Sequence, residues 1–306
     1  MAEQEPISNT RPLFSIVIPV FNDWALLDRC LQSVAQQKNG ACFEVVIVDD
    51  GSSEPVPDFI RRWNGNCPLT IIRESHAGIS AARNRGVQSS RGAVLVFVDA
   101  DCTLQADCLA ALGAAVAEFP RHICFQLHLV GDCSRLVGRA EELRLASLQD
   151  HMLQPDGRIR YLNTSGFAIR RAAVDTDNGV FDPLALRAED TLLLATLMQR
   201  GELPFFVPKA VVQHAIPLSL MECLRKDLRS VYLVEKTYDT IASMGVSFRL
   251  SHRERLSMLW SMWKISGRES IGRSAWFVVT VRRALHFIAS FAHRSFRGLR
   301  PKPANA

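Results

Sequence analysis

The first hundred residues alternate between short, almost uninterrupted apolar runs and stretches that are amphipathic or rich in turn formers. "FSIVIPV" (14 to 20), "FEVVIVDD" (43 to 50), "LTIIRES" (69 to 75) and "AVLVFVDAD" (93 to 101) are brief and β-branched, which predicts strands. Their near-continuous hydrophobicity predicts parallel strands covered on both faces. Between the first two, "NDWALLDRCLQSVAQQ" puts Trp24, Leu27, Leu31 and Val34 on one helical face, with Asn22 placed to cap it. "GISAARNRGVQSS" predicts a short helix before the fourth run. The pattern is that of a doubly wound, mostly parallel α/β sheet.

Beyond residue 120 the alternation loosens. "HICFQLHLV" predicts a strand and "RAEELRLASLQDHML" a helix, while "PDGRIRYLNTSGFAIRRAAV" predicts a loop, a strand and a helix start. "EDTLLLATLMQRG" reads as a helix with acids in its first turn and Gly201 as its stop. "LPFFVPKAVVQH" is extended. No internal repeat or low-complexity tract interrupts the chain.

In such a sheet, ligands collect at the carboxyl ends of the strands. Asp49, Asp50, Asp99 and Asp101 fall at those ends, so the pattern predicts a rim of carboxylates. No Gly-x-Gly-x-x-Gly follows a strand and no Gly-x-x-x-x-Gly-Lys-Ser/Thr occurs, which argues against a dinucleotide fold and a P-loop. The absence of a glycine-rich, lysine-containing loop after the first strand also disfavours a nucleotidyltransferase.

The order of motifs resembles the family 2 glycosyltransferases of the GT-A fold. "SIVIPVFN", "VVIVDDGSS", "AGISAARNRG", "VFVDAD", "NTSGFAIRR", "GVFDPLALRAED" and "VPKAVVQH" follow one another over residues 13 to 216. The resemblance implies sugar transfer from a nucleotide diphosphate donor with inversion and a divalent metal, Mn2+ or Mg2+. It assigns Asp101 to the metal and Asp99 to the ribose or a metal-bound water, with His214 a further ligand or a pyrophosphate contact. It gives Asp50 the imide N–H of uracil or thymine, hence a UDP or dTDP sugar. It sets Pro19, Val20 and Phe21 around the base, Arg83 toward the nucleotide, and Ala100 beside it in the Asp-x-Asp triplet. Asp190 becomes the general base and Glu189 its support, with Asn163 and Gly166 bordering the sugar and acceptor. Relatives often carry Asn-Gly-Gly where this chain has His76, Ala77 and Gly78. No Q-x-x-R-W follows "ED", so addition of one sugar or a few to a glycan or lipid-linked acceptor is expected. The alternative is a non-catalytic sugar-nucleotide scaffold on the same fold.

Charge divides the chain. Residues 1–220 hold 20 Lys and Arg against 25 Asp and Glu, whereas 221–306 hold 16 against 6. This predicts a catalytic domain over 11–220 and a basic, mainly helical region over 221–306 that seeks an anionic partner. In its last helix Arg282, His286, His293 and Arg297 share a face opposite Phe277, Val281, Ala284, Leu285, Ile288 and Phe291. Such a helix can lie on an anionic membrane or pack on the catalytic domain. Arg282 and Arg283 split its apolar run, so no spanning helix is expected. Nucleic acid is not expected, because no binding module accompanies the basic residues. Eight cysteines without metal spacing and a polar, acidic start predict a reduced, cytoplasmic protein.

Overall fold

The computed structural model describes residues 11–297 apart from 39–40, 64, 66, 217, 247 and 249–251. The first ten residues of the acidic start and the side chain of Arg297 lie outside the described residues. Strands β1 (Phe14–Val20), β2 (Phe43–Asp49), β3 (Leu69–Arg73), β4 (Val94–Phe97), β5 (Cys102–Leu104), β6 (Cys124–Gly131), β7 (Phe167–Arg170) and β8 (Phe205–His214) form one sheet in the order β3-β2-β1-β4-β7-β6-β8-β5. The β3-β2-β1-β4 half is parallel, as the continuous apolar runs predict. The other half mixes a parallel β6–β8 pair with antiparallel β4–β7, β6–β7 and β5–β8 pairs.

Helices α1 (Trp24–Ala35), α2 (Asp58–Arg61), α3 (Ile79–Gln88), α4 (Cys108–Glu118), α5 (Leu136–Met152) and α6 (Glu189–Gln199) intersperse the strands. Phe14, Ile16 and Ile18 of β1 face α1 and α4, while Val17 faces the other side, where Val87 of α3 and Leu193, Leu194 and Leu197 of α6 pack. All of β1 is buried. Both faces of the sheet are therefore core, at roughly 25 cal/mol per Å2 of apolar surface removed from water.

Two local expectations change. Asn22 does not cap α1, whose N-terminus has no side-chain cap. Its backbone is left-handed (φ 61°), and its side-chain oxygen accepts from the Ser53 amide (2.8 Å) and hydroxyl (2.9 Å), so it ties the end of β1 to the turn after β2. Asp99 and Asp101 do not end a strand either. β4 stops at Phe97, and a tight turn closed by Cys102 N donating to Asp99 O (3.0 Å) reverses the chain into β5. That reversal lets β5 pair antiparallel with β8 and sets Cys102 opposite His214.

The carboxyl-terminal helices α7 (Leu220–Leu233), α8 (Glu235–Ser243), α9 (His252–Ile265) and α10 (Arg273–Arg297) dock on this body. Ser219 and Glu222 form a reciprocal capping box that starts α7. Ala275, Val278 and Val279 of α10 and Met262 of α9 bury against Ala140 and Leu143 of α5. The larger apolar residues of α10, Phe277, Ile288 and Phe291, stay exposed. The side of α10 that packs carries Ala275, Val278, Val279 and the partly buried Trp276, with Arg282 paired to Asp227 of α7 at 2.8 and 3.0 Å. Within α10, Arg273–His293 is long and apolar enough to cross a membrane by length and composition.

Asn84 of α3 holds the strap that leads toward α6. Its amide nitrogen donates to Phe181 O (2.7 Å) and its oxygen accepts from Val180 N and Phe181 N (2.9 Å each). Replacing Asn84 with Ala leaves these backbone groups unpaired and is expected to cost about 2 kcal/mol in urea denaturation. A loss below about 0.5 kcal/mol would mean that water replaces the amide.

Candidate active site

The site is built around one guanidinium. Arg83 is 1% exposed, and β-sheet, α3 and α6 close over it. Its two terminal nitrogens reach Asp99 Oδ1 at 2.7 Å and Glu189 Oε1 at 2.8 Å, while Phe181 lies beneath its plane at 5.5 Å. Asp99 also accepts from Ser165 Oγ at 2.7 Å. Burial opposes both charges, yet the pairing prevails: Asp99 is held below the usual carboxylate range and Arg83 above that of a free guanidinium. The structure therefore buries Arg83 beneath the rim and turns Asp99, whose side chain stays 23% exposed, toward it. Together they clamp the start of α6 to the turn after β4.

Asp101 points elsewhere. The β5–β8 register brings His214 Nε2 to 3.2 Å from Asp101 Oδ2, and Ala215 N donates to Asp101 O at 2.9 Å. Behind the imidazole, Nδ1 faces Glu141 Oε1 of α5 at 3.8 Å. Glu141 is 6% exposed and is paired with Arg144 one turn on (Nε to Oε2, 2.9 Å). Burial raises the cost of ionising Glu141, but Arg144 and His214 outweigh it and hold its carboxyl far below normal. Burial likewise disfavours the imidazolium, while Asp101 and Glu141 push His214 up to about 10. Asp101, Cys102 and His214 present donor atoms within 4.8 Å of one another. Burial keeps the Cys102 thiol protonated well above its ordinary range. The Asp101 carboxylate fits a hard divalent cation and a neutral thiol does not; the imidazole offers a lone pair only after releasing the proton that Asp101 and Glu141 favour, which a cation arriving at Asp101 would displace. Asp99, committed to Arg83 and Ser165, is not in this donor group.

Glu189 and Asp190 open α6 after Ala188, whose left-handed backbone (φ 59°) is strained for a residue with a Cβ. Glu189 turns to Arg83. Asp190 turns away, accepting from its neighbour Thr191 at the amide (2.6 Å) and hydroxyl (3.2 Å). Burial and then the charge of Glu189 raise Asp190 to about 6, despite the Thr191 hydrogen bonds. The adjacent acids thus differ: Glu189 is committed to Arg83, while Asp190 has a raised proton affinity.

At the far edge, Asp50 is 5% exposed and accepts from Ala77 N (2.8 Å) and Gly78 N (3.0 Å), with His76 Nδ1 at 2.9 Å. The His-Ala-Gly turn is thus wrapped around this carboxylate. Gly78, at φ 94° and ψ 163°, occupies backbone space that a side chain disfavours. Phe21 is 44% exposed and stacks on His76 with ring centroids 4.4 Å apart. Pro19 and Val20 are buried in β1 and Ala100 in the turn after β4, so of these only Phe21 offers an open face.

Three contributors escape sequence reasoning. Ser165, not Asn163 or Gly166, reaches Asp99; Asn163 caps the short turn by accepting from Ser165 N (2.9 Å), and Gly166 lies against Leu129. Glu141 stands among buried residues of α5, where an acid on the same face as Gly138 and Leu145 is the signal. Arg144 follows from it.

Residues 15–177 match the family model described as Glycosyl transferase family 2. A 110-residue stretch is 41% identical to a PGL/p-HBAD biosynthesis glycosyltransferase of Mycobacterium tuberculosis, covering 35% of this chain and 43% of that one. Over 101 residues the chain is 34% identical to glycosyltransferase AglE of Haloferax volcanii, covering 32% and 33%. The chain matches less than half the length of these curated relatives. The mannosyltransferase PcManGT from Pyrobaculum calidifontis, solved with GDP-Man and Mn2+, superposes with a TM-score of 0.56 at 18% identity, over 95% of this chain and 81% of that one. S. aureus TarS 1-349 with UDP gives 0.54 at 17%, over 96% and 94%. These structural likenesses establish the shared fold.

Exchanging Arg83 for Met strands two carboxylates at a buried junction. The expected loss is about 3 to 5 kcal/mol in chemical denaturation. A variant within about 1 kcal/mol of wild type would show that the clamp contributes little.

Proposed function

The chain belongs to glycosyl transferase family 2, and on that premise we propose that it is an inverting, metal-dependent transferase that moves a single sugar from a UDP or dTDP donor to a glycan or lipid-linked acceptor. The observation that carries this reading is the bridge of Arg83 between Asp99 and Glu189, residues far apart in sequence. It sets a base-like acid, Asp190, beside the rim that carries a cation donor set, Asp101 and His214. Residues 11–220 then constitute the catalytic domain, and 221–306 the helical region on its acceptor side.

The chemistry follows from charge. An acceptor hydroxyl attacks the anomeric carbon on the face opposite the nucleotide, its oxygen forming the new glycosidic bond as the bond to the diphosphate breaks. Asp190 accepts the hydroxyl proton. A carboxylate with a raised proton affinity is a stronger base for a poorly acidic alcohol than an ordinary surface aspartate. Glu189, neutralised by Arg83, holds the helix start and leaves Asp190 free. A divalent cation held by Asp101 and His214 would supply the positive charge that a departing diphosphate requires. Glu141 keeps the imidazole aimed at Asp101. Phe21 and His76 offer an aromatic edge for the base, and Asp50 fixes the turn on which His76 stands. Unpaired thiols among the described residues accompany the cytoplasmic reading, and the setting is sugar addition in polysaccharide or glycolipid assembly.

Three measurements test this. Calorimetric titration of UDP should show Mn2+-dependent binding that disappears in Asp101→Ala; binding that ignores both the metal and the substitution contradicts the cation site. Asp190 serves as a base only when ionised, so kcat/KM should rise as pH climbs through about 6 and fall about tenfold per unit below it. Asp190→Asn should lower kcat by about a hundredfold or more while UDP still binds. A variant with near-normal turnover would exclude Asp190 as the base.

A further inference from the structure

A cavity of about 1040 Å3 lies between α5, α7, α8 and α10, outside the residues assigned above to the donor. That volume suits a sizeable organic ligand. Two connections tie it to the reacting centre. Arg144, which lines it, is the partner of Glu141, and Glu141 orients His214. On the other side, Thr237 of α8 donates to Arg187 O at 2.8 Å, just before Ala188 and Asp190, and the next residue, Tyr238, lines the cavity. Both Arg144 and Tyr238 feel the charge of Asp190. The cavity therefore lies next to the segment that leads into α6 and Asp190.

Its lining has two characters. Ile241, Val279 and Phe287 provide apolar wall, and Phe287 continues onto the exposed apolar side of α10 at 59% exposure. Against this stands positive charge, with four arginines and two aspartates in the lining. One aspartate, Asp227, is taken by Arg282. Arg283 is exposed, lines the cavity and has no anionic partner among the described residues, and it stands near enough to Arg144 for the two charges to repel. Arg144 takes both carboxylate oxygens of Glu141, so the Arg283 guanidinium is the charge in this lining that an incoming anion can pair with.

We propose that this cavity is the acceptor site and that it takes an amphiphile, a hydroxyl-bearing molecule in which a phosphate is joined to an apolar chain. Arg283 receives the phosphate, the apolar chain runs past Val279 and Phe287 toward the outer face of α10, and the hydroxyl is presented to Asp190. The inference rests on the transferase reading for the fate of the hydroxyl, but the binding itself can be measured without a donor.

Octyl phosphate, octyl glucoside and inorganic phosphate, each kept below any aggregation threshold, are titrated into the full chain and into Arg283→Gln by calorimetry. Octyl phosphate should bind at least about tenfold more tightly than either comparison ligand, and the substitution should remove about tenfold of that affinity. Equal binding of octyl phosphate and octyl glucoside, or unchanged affinity in the variant, overturns the anion half of the proposal. Inorganic phosphate binding as tightly as octyl phosphate overturns the apolar half. UDP with Mn2+ is titrated into the same preparations as the check on folding and on the donor reading. Loss of UDP binding in both proteins with octyl phosphate binding intact sinks the donor reading and leaves the cavity's ligand class standing.

Discussion

A guanidinium removed from water must be matched by anions, and the placement of Arg83 between Asp99 and Glu189 is the constraint on which the site depends. α3 supplies the cation, the turn after β4 one anion and the start of α6 the other. None of the three elements can shift without stranding a buried charge. Asn84, next to Arg83, adds backbone hydrogen bonds to the same strap, so adjacent residues of α3 anchor both the approach to α6 and its first turn. The strained backbone at Ala188 is tolerable in that setting because the surroundings fix it from both sides.

The rest of the site follows from chain reversal. Had β4 run on through residue 101, alternate side chains would have put Asp99 and Asp101 on one face. The turn separates them instead. Asp99 goes inward to Arg83 and Ser165, and Asp101 goes to the β5–β8 edge, where the pairing of Cys102 with His214 brings an imidazole alongside. α5 then connects the regions: Glu141 backs His214, and Arg144 looks into the large cavity beneath α10. The carboxyl-terminal helices line that cavity while leaving Phe277, Ile288 and Phe291 of α10 at the surface.

The parallel half of the sheet was legible because its signal is local: β-branched apolar runs, buried on both faces in β1 and β2 and half-buried in the edge strand β3, read as strands without reference to anything distant. The carboxylates of the rim were legible for the same reason, as acids following apolar strands. Their division of labour was not. That Arg83 is a buried strut, that Ser165 rather than Asn163 meets Asp99, and that Asn22 serves the "DGSS" turn rather than a helix cap are all long-range facts, settled by partners 16 to 106 positions away. β5 is three residues long and has no periodicity to detect, yet it determines where Asp101 points. Glu141 left a trace, an acid on the core face of α5, but its purpose becomes visible only when β8 delivers His214 to it.

The most direct test of this account is the position of the metal. Crystals grown with UDP and Mn2+, measured at an energy where manganese scatters anomalously, locate the ion independently of any assumption about ligands. The account predicts a single peak in contact with Asp101 and His214, with Asp99 still bonded to Arg83 and Ser165. A peak on Asp99 with Arg83 released, or one remote from Asp101, would contradict it.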